Sequence, residues 1–229
     1  MKKKNLSFMA SFLVVCLILI GCGTEENNVT LDKGRITLQV ETTSKSTSIV
    51  NGRVTNVNKL SFTKGKIKFR EVVFDGDLGG RSISITHEQI AVIDYATGTI
   101  SPSVFLEVDP GEYKNVNLGI EIQDDGSDPS IVIEGTYISS EGKTIPVRFE
   151  FNSGEVFEAD AESVKITAGS NIVGKITFDA LEWFSVISAE ALDNATLTNG
   201  VMIISETSNS GIFTQVADRL DVATQAVFM

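Results

Sequence analysis

Three groups of side chains in this 229-residue chain have types and spacing that suit chemistry. Asp124, Asp125 and Asp128 crowd one short stretch, and Gly126 allows a sharp bend there. Oxygen-rich loops of this kind can hold Ca²⁺, although an EF-hand also needs a glutamate at its twelfth position and has a different spacing. Aspartate bonds its own backbone in turns, so an ordinary acidic turn is the plainer reading. Asp75 and Asp77, around Gly76, form a sparser second cluster. His87 is the only histidine and stands beside Glu88, as a general base and its carboxylate orienter would. No Gly-x-Ser-x-Gly elbow or paired cysteine accompanies it, and a strand-end histidine is the simpler expectation. Acidic residues abound, but nothing in the sequence marks a hydrolytic pair, because carboxyl separation is a three-dimensional property. Trp183, Phe184 and Tyr113 would stack on a sugar if exposed, yet such aromatics are more often core. No residue is therefore assigned to catalysis.

A fourth chemical group lies near the N-terminus. Lys2, Lys3 and Lys4 open a run, Leu6 to Ile20, that is apolar except for Ser7 and Ser11 and closes on Gly21-Cys22. The run has the length of a secretory h-region and falls short of the ~20 residues a membrane-spanning helix needs. An ordinary signal peptide with a chance cysteine is one explanation. The stretch Leu19-Ile20-Gly21-Cys22 also resembles the lipobox of bacterial lipoprotein signal peptides. That resemblance implies cleavage between Gly21 and Cys22 and a diacylglycerol on the Cys22 sulfur. Two or more buried acyl chains hold a protein on a bilayer far longer than one.

Removing 21 of 229 residues leaves 208, enough for one domain with its own core. The mature chain would have no disulfide, since Cys16 is discarded and Cys22 is acylated. One histidine excludes a Cys/His zinc cluster. Without Lys2, Lys3 and Lys4, 16 basic residues face 30 acidic ones, a net charge of −14. That sign disfavours nucleic acid and close docking on anionic lipid, so the membrane partner is reached through the lipid itself. No cofactor is expected beyond the Ca²⁺ considered above.

The elements that must position these residues follow from periodicity. Residues 22–34 are polar and read as a tether of ~40 Å at full extension. From Arg35 the pattern has period two: Ile36, Leu38 and Val40 alternate with Thr37, Gln39 and Glu41. Similar segments recur at Ile67–Phe74, Ser82–Thr86, Gln89–Asp94, Val104–Val108 and Val116–Ile122. They continue at Ile131–Ile138, Ile145–Phe151, Val164–Thr167 and Ile172–Phe178. Short turns such as Gly79-Gly80, Asp109-Pro110-Gly111 and Ser140-Glu141-Gly142 separate them. About eight to ten such strands predict a mainly β, antiparallel sandwich over residues 35–178. Residues 179–229 read as a small helical cap. Asp179 and Glu182 form a capping-box-like pair, Val201–Ile204 a strand, and Asn209 or Ser210 a cap. Ile212, Val216, Leu220, Ala223 and Val227 give one helix face.

Residues 35–178 resemble a domain of unknown function found in many bacterial lipoproteins. The likeness rests on Gly34-x-Ile36-x-Leu38, on Ile93-Asp94-x-x-x-Gly98, and on Pro110-Gly111-Glu112-Tyr113 before an apolar strand. Glu25-Glu26 resembles the acidic export signal of surface lipoproteins in the Bacteroidota. These resemblances imply a β-sandwich on a lipid anchor in the bacterial cell envelope, at the outer membrane and in some cases surface-exposed. They transfer no activity. The expected function is a binding or structural module for a protein or glycan partner. An adhesin or pilus-type subunit is the alternative, and an envelope hydrolase the least favoured reading.

Overall fold

Alternating apolar residues from Gly34 onward give twelve strands and three short helices among the described residues. The structure, a computed structural model, describes residues 32–43, 60–124, 126–220 and 226–229. Gly21, Cys22, the tether up to 31, Asp125 and Ala223 lie outside the described residues. The strands are β1 (Gly34–Thr42), β2 (Leu60–Leu78), β3 (Arg81–Asp94), β4 (Ile100–Ser101), β5 (Phe105–Val108) and β6 (Gly111–Ile122). They continue with β7 (Ile131–Ile138), β8 (Thr144–Phe151), β9 (Val156–Ile166), β10 (Asn171–Phe178), β11 (Met202–Ile204) and β12 (Ala226–Phe228). The helices are α1 (Ala180–Trp183), α2 (Ala189–Asp193) and α3 (Ser210–Ala217).

Four strands form one sheet in the order β12-β10-β1-β5. Eight form the other, along β11-β8-β7-β2-β3-β4, with β6 and β9 branching from β2. The branch has a simple cause. β2 is 19 residues long, and β3 occupies one edge from Lys66 to Leu78. The opposite edge carries β7 along Leu60–Ile67 and then β6 along Phe69–Leu78. Close approach of β7 depends on Gly135, where an added Cβ would stand 1.7 Å from the Ser61 carbonyl oxygen. The β2–β3 turn is Gly79-Gly80, with φ of +58° and +82°, a primed hairpin turn that glycine makes without strain.

The mainly β, sandwich-like class with C-terminal helices is the one expected from the pattern, and the barrel is not closed. The strictly antiparallel expectation needs correction: β1 pairs with β10, and β8 with β11, in parallel, so both sheets are mixed. Short turns cannot join parallel neighbours, and in both cases other elements fill the connection. Two expected segments, 82–86 and 89–94, are one strand interrupted by a bulge at Gln89-Ile90.

Ile36, Leu38, Leu106, Ile176 and Phe178 from the smaller sheet are buried with Phe74, Leu118, Ile120 and Phe157 from the larger. Phe157 and Phe178 meet edge-on at 4.9 Å, and Phe74 meets Phe228 at 6.3 Å. The tail covers the other half of β2. Phe184 packs at 5.0 Å on Phe62 and 5.7 Å on Phe149, which also stacks on Phe213.

The tail departs from its expected helicity. Asp179 caps α1 through bonds from the Leu181 and Glu182 amides, but Glu182 pairs with Arg219 instead of reaching back. Asn209 is the α3 cap residue at φ +51°, and its side chain bonds Thr196 and Ile203 rather than the helix. α3 ends at Ala217, and Val227 lies in a strand antiparallel to β10. An edge of β10 offers backbone partners that a further helical turn could not match: Val173 and Met229 exchange bonds of 2.8 and 3.0 Å.

A cationic groove on the outer sheet face as candidate functional site

Ile67 and Phe69 are fully buried, and strand alternation therefore turns Lys66, Lys68 and Arg70 to the opposite face, in line with Lys64. Lys64, Lys66 and Lys68 line a groove of about 520 Å³ together with Asp94 from β3, Asp128 and Pro129 from the β6–β7 loop, and Glu134 and Arg148. Pairing of β7 with both β2 and β8 sets Glu134 between Lys64 and Arg148, at 2.9 and 2.8 Å. Lys64 and then Arg148 hold the Glu134 carboxyl below the usual carboxylate range. Glu150, and then Glu134, raise the Arg148 guanidinium. Asp94 is committed to its own turn, accepting from the Thr97 amide at 3.0 Å and hydroxyl at 3.1 Å.

Two cations remain. Lys66 and Lys68 make no ion pair among the described residues. They stand about 7 Å apart along one face of β2. An ammonium pair of this kind can hold a carboxylate, phosphate or sulfate through charge-assisted bonds.

The same row ends in acid. Arg70 donates to Glu121 and, at 3.1 Å, to Asp124. Glu71, its neighbour, stands across from Glu88 on β3 and Glu121 on β6. A hydrogen bond shared with Glu121, burial and repulsion by Glu121 together raise the Glu71 carboxyl above its ordinary range.

The residues singled out from sequence fall elsewhere. His87 lies half-buried on β3, stacked on Phe105 at 6.2 Å, with Nε2 3.0 Å from Gln89 Oε1. Glu88 points to the opposite face, so it cannot orient the imidazole. Asp124 is neutralised by Arg70, while Asp128 lines the groove. Among the described residues no cluster of three acidic, histidine or cysteine side chains is arranged to hold a metal ion. Asp77 accepts from Asn115 and Ser82, which together hold its carboxyl low. Trp183, Phe184 and Tyr113 are buried. The Tyr113 hydroxyl is turned to the Asp109 carbonyl, closing the Asp-Pro-Gly turn at 2.9 Å.

Sequence reasoning passed over Lys64, Lys66 and Lys68. Their signal was the period itself, four cations at alternate positions of one strand in an acidic chain. Comparison with protein-family models, with curated proteins and with solved structures gives no match. No helix among the described residues is long and apolar enough to cross a membrane.

Proposed function

We propose that the chain is a lipid-anchored cell-envelope binding module that takes an anionic group of an envelope glycan or peptide between Lys66 and Lys68. The anchor is Cys22, supported by the Lys2–Lys4 start, the apolar run and Gly21. One observation carries the binding reading: two lysines without carboxylate partners among the described residues, in a chain of net charge −11. Exposed cations in such a chain ordinarily form ion pairs, as Lys64 and Arg70 do, whereas Lys66 has Asp94 across the strand pair without an ion pair to it. The groove is open along the sheet, a shape that suits an extended chain more than a small molecule.

Titration calorimetry with polygalacturonate and polyphosphate, against neutral dextran, tests this. The expected result is binding of at least one polyanion that weakens as salt rises, and its loss in Lys66→Glu/Lys68→Glu. Equal heats for the variant and the unsubstituted protein, or none for either, would refute the groove. An adhesin or pilus-type subunit is the second reading, because it needs an open strand edge and β3 has one among the described residues.

A further inference from the structure

The larger sheet has two long edges. Among the described residues β9 pairs only with β6, and it carries exposed Glu158, Asp160, Glu162 and Lys165. Charged residues of this kind are how natural proteins keep an edge from pairing. β3 is built differently. From Arg81 to Glu88 it pairs only with β2 among the described residues, and β4 joins it only at Val92 and Ile93. Between Ser82 and Thr86 the sequence Ser-Ile-Ser-Ile-Thr has no charge, no proline and no bulge; the bulge comes later, at Gln89-Ile90. Ser82, Ser84 and Thr86 are exposed on one face, and Ile83 and Ile85 are half-buried on the other. An edge strand directs half of its backbone donors and acceptors outward, away from the sheet.

We infer that this edge pairs with the same edge of a second copy of the chain. The occupant follows from symmetry and charge. A two-fold axis through Ser84, perpendicular to the sheet, sets Ser84 opposite Ser84 of the partner subunit. Ile83 then faces Ile85, Ser82 faces Thr86, and Arg81 faces His87. Hydroxyls meet hydroxyls on the outer face and isoleucines meet isoleucines on the inner one, and the layers of the two sandwiches stay continuous. A shift by two residues would set Ser82 against Glu88, and lose that match. In a chain of net charge −11, like-charge repulsion opposes close approach over most of the surface. The stretch Ser82–Thr86 is an uncharged edge where two copies can meet.

Cysteine crosslinking of the full chain tests the register. Residues opposite each other in an antiparallel pair have Cα atoms about 5 Å apart, within disulfide reach. Ser84→Cys under mild oxidation should run as a dimer on a non-reducing gel, well above the unsubstituted chain, which reports Cys16 and Cys22. Ser163→Cys, equally exposed on the β9 edge, should stay at that background. Adding Ile85→Lys to Ser84→Cys should abolish the dimer. No dimer from Ser84→Cys, equal dimer from Ser163→Cys, or a dimer that survives Ile85→Lys would each overturn the pairing.

Discussion

The Tyr137 hydroxyl donates to Asp193 Oδ1 at 2.9 Å, joining β7 to α2 across 56 residues of chain. Asp193 also accepts from the Ser140 amide at 3.1 Å, so one carboxylate ties a strand end, a hairpin and a helix together. Tyr137→Phe should cost about 1 kcal/mol, because it removes one hydrogen bond from a buried ring to a carboxylate that keeps the Ser140 amide. Denaturant titration would measure it, and an unchanged midpoint would count against the staple.

All three tyrosines are pushed in one direction. Burial, ahead of the Asp193 hydrogen bond, raises Tyr137 to about 12, and burial also raises Tyr113 and Tyr95. A phenol with a raised folded pKa gives stability that is complete below its unfolded pKa of about 10. That stability is lost as pH climbs from there through the folded value. Ultraviolet titration should show no phenolate step near pH 10 while the fold persists. A step there with intact far-ultraviolet dichroism would contradict the buried hydroxyls.

Glu71→Gln should raise the melting temperature slightly at pH 7. Its folded carboxyl is held above the ordinary range by Glu121, so the folded state takes up the proton more readily. The penalty of ionisation is absent below the unfolded pKa and grows as pH rises through the folded one. The gain from the substitution should therefore vanish at about pH 3, below the ordinary carboxylate range. A benefit that stays constant with pH would point to some cause other than the carboxylate pair.

Two glycines of the large sheet should differ sharply. An alanine at Gly135 would place its Cβ 1.7 Å from the Ser61 oxygen, and at Gly119 no closer than 3.7 Å to any neighbour. Gly135→Ala should cost about 3 kcal/mol or prevent folding, since backbone cannot move aside as a side chain can. Gly119→Ala should be nearly neutral. Chemical denaturation of the pair decides this, and equal effects would mean that β7 does not lie as close to β2 as described.

Cys22→Ala should move the protein from the detergent phase to the aqueous phase in a phase-separation assay. Unchanged partitioning would remove the lipid anchor from the proposal. The groove and β3 experiments do not depend on that outcome.

Much of the sandwich was legible because alternation is local: Ile36, Leu38 and Val40, or Ile131 and Ile133, declare their face without a partner. What stayed hidden was decided at a distance. Val227 fits a helical spacing within its own segment, and only the open edge of β10 makes it a strand. His87 and Glu88 are neighbours in sequence yet point to opposite faces, which follows from the pleat once β3 is known to run unbroken through them. The groove was hidden for another reason. Each lysine reads as ordinary surface until β7 and β8 bring Glu134 and Arg148 beside it and show which cations are already neutralised.

The parallel pairing of β1 with β10 has a consequence for how the chain matures. Thr37 Oγ1 bonds Asn171 Oδ1 across 134 residues, so the strand made early must wait for one made late. Contacts of such long span slow folding and leave the waiting segment open to wrong partners. A chain emerging from its N-terminal end would hold Gly34–Thr42 unclaimed on that side until Phe178 arrived, and a product truncated before Asn171 could never seat it.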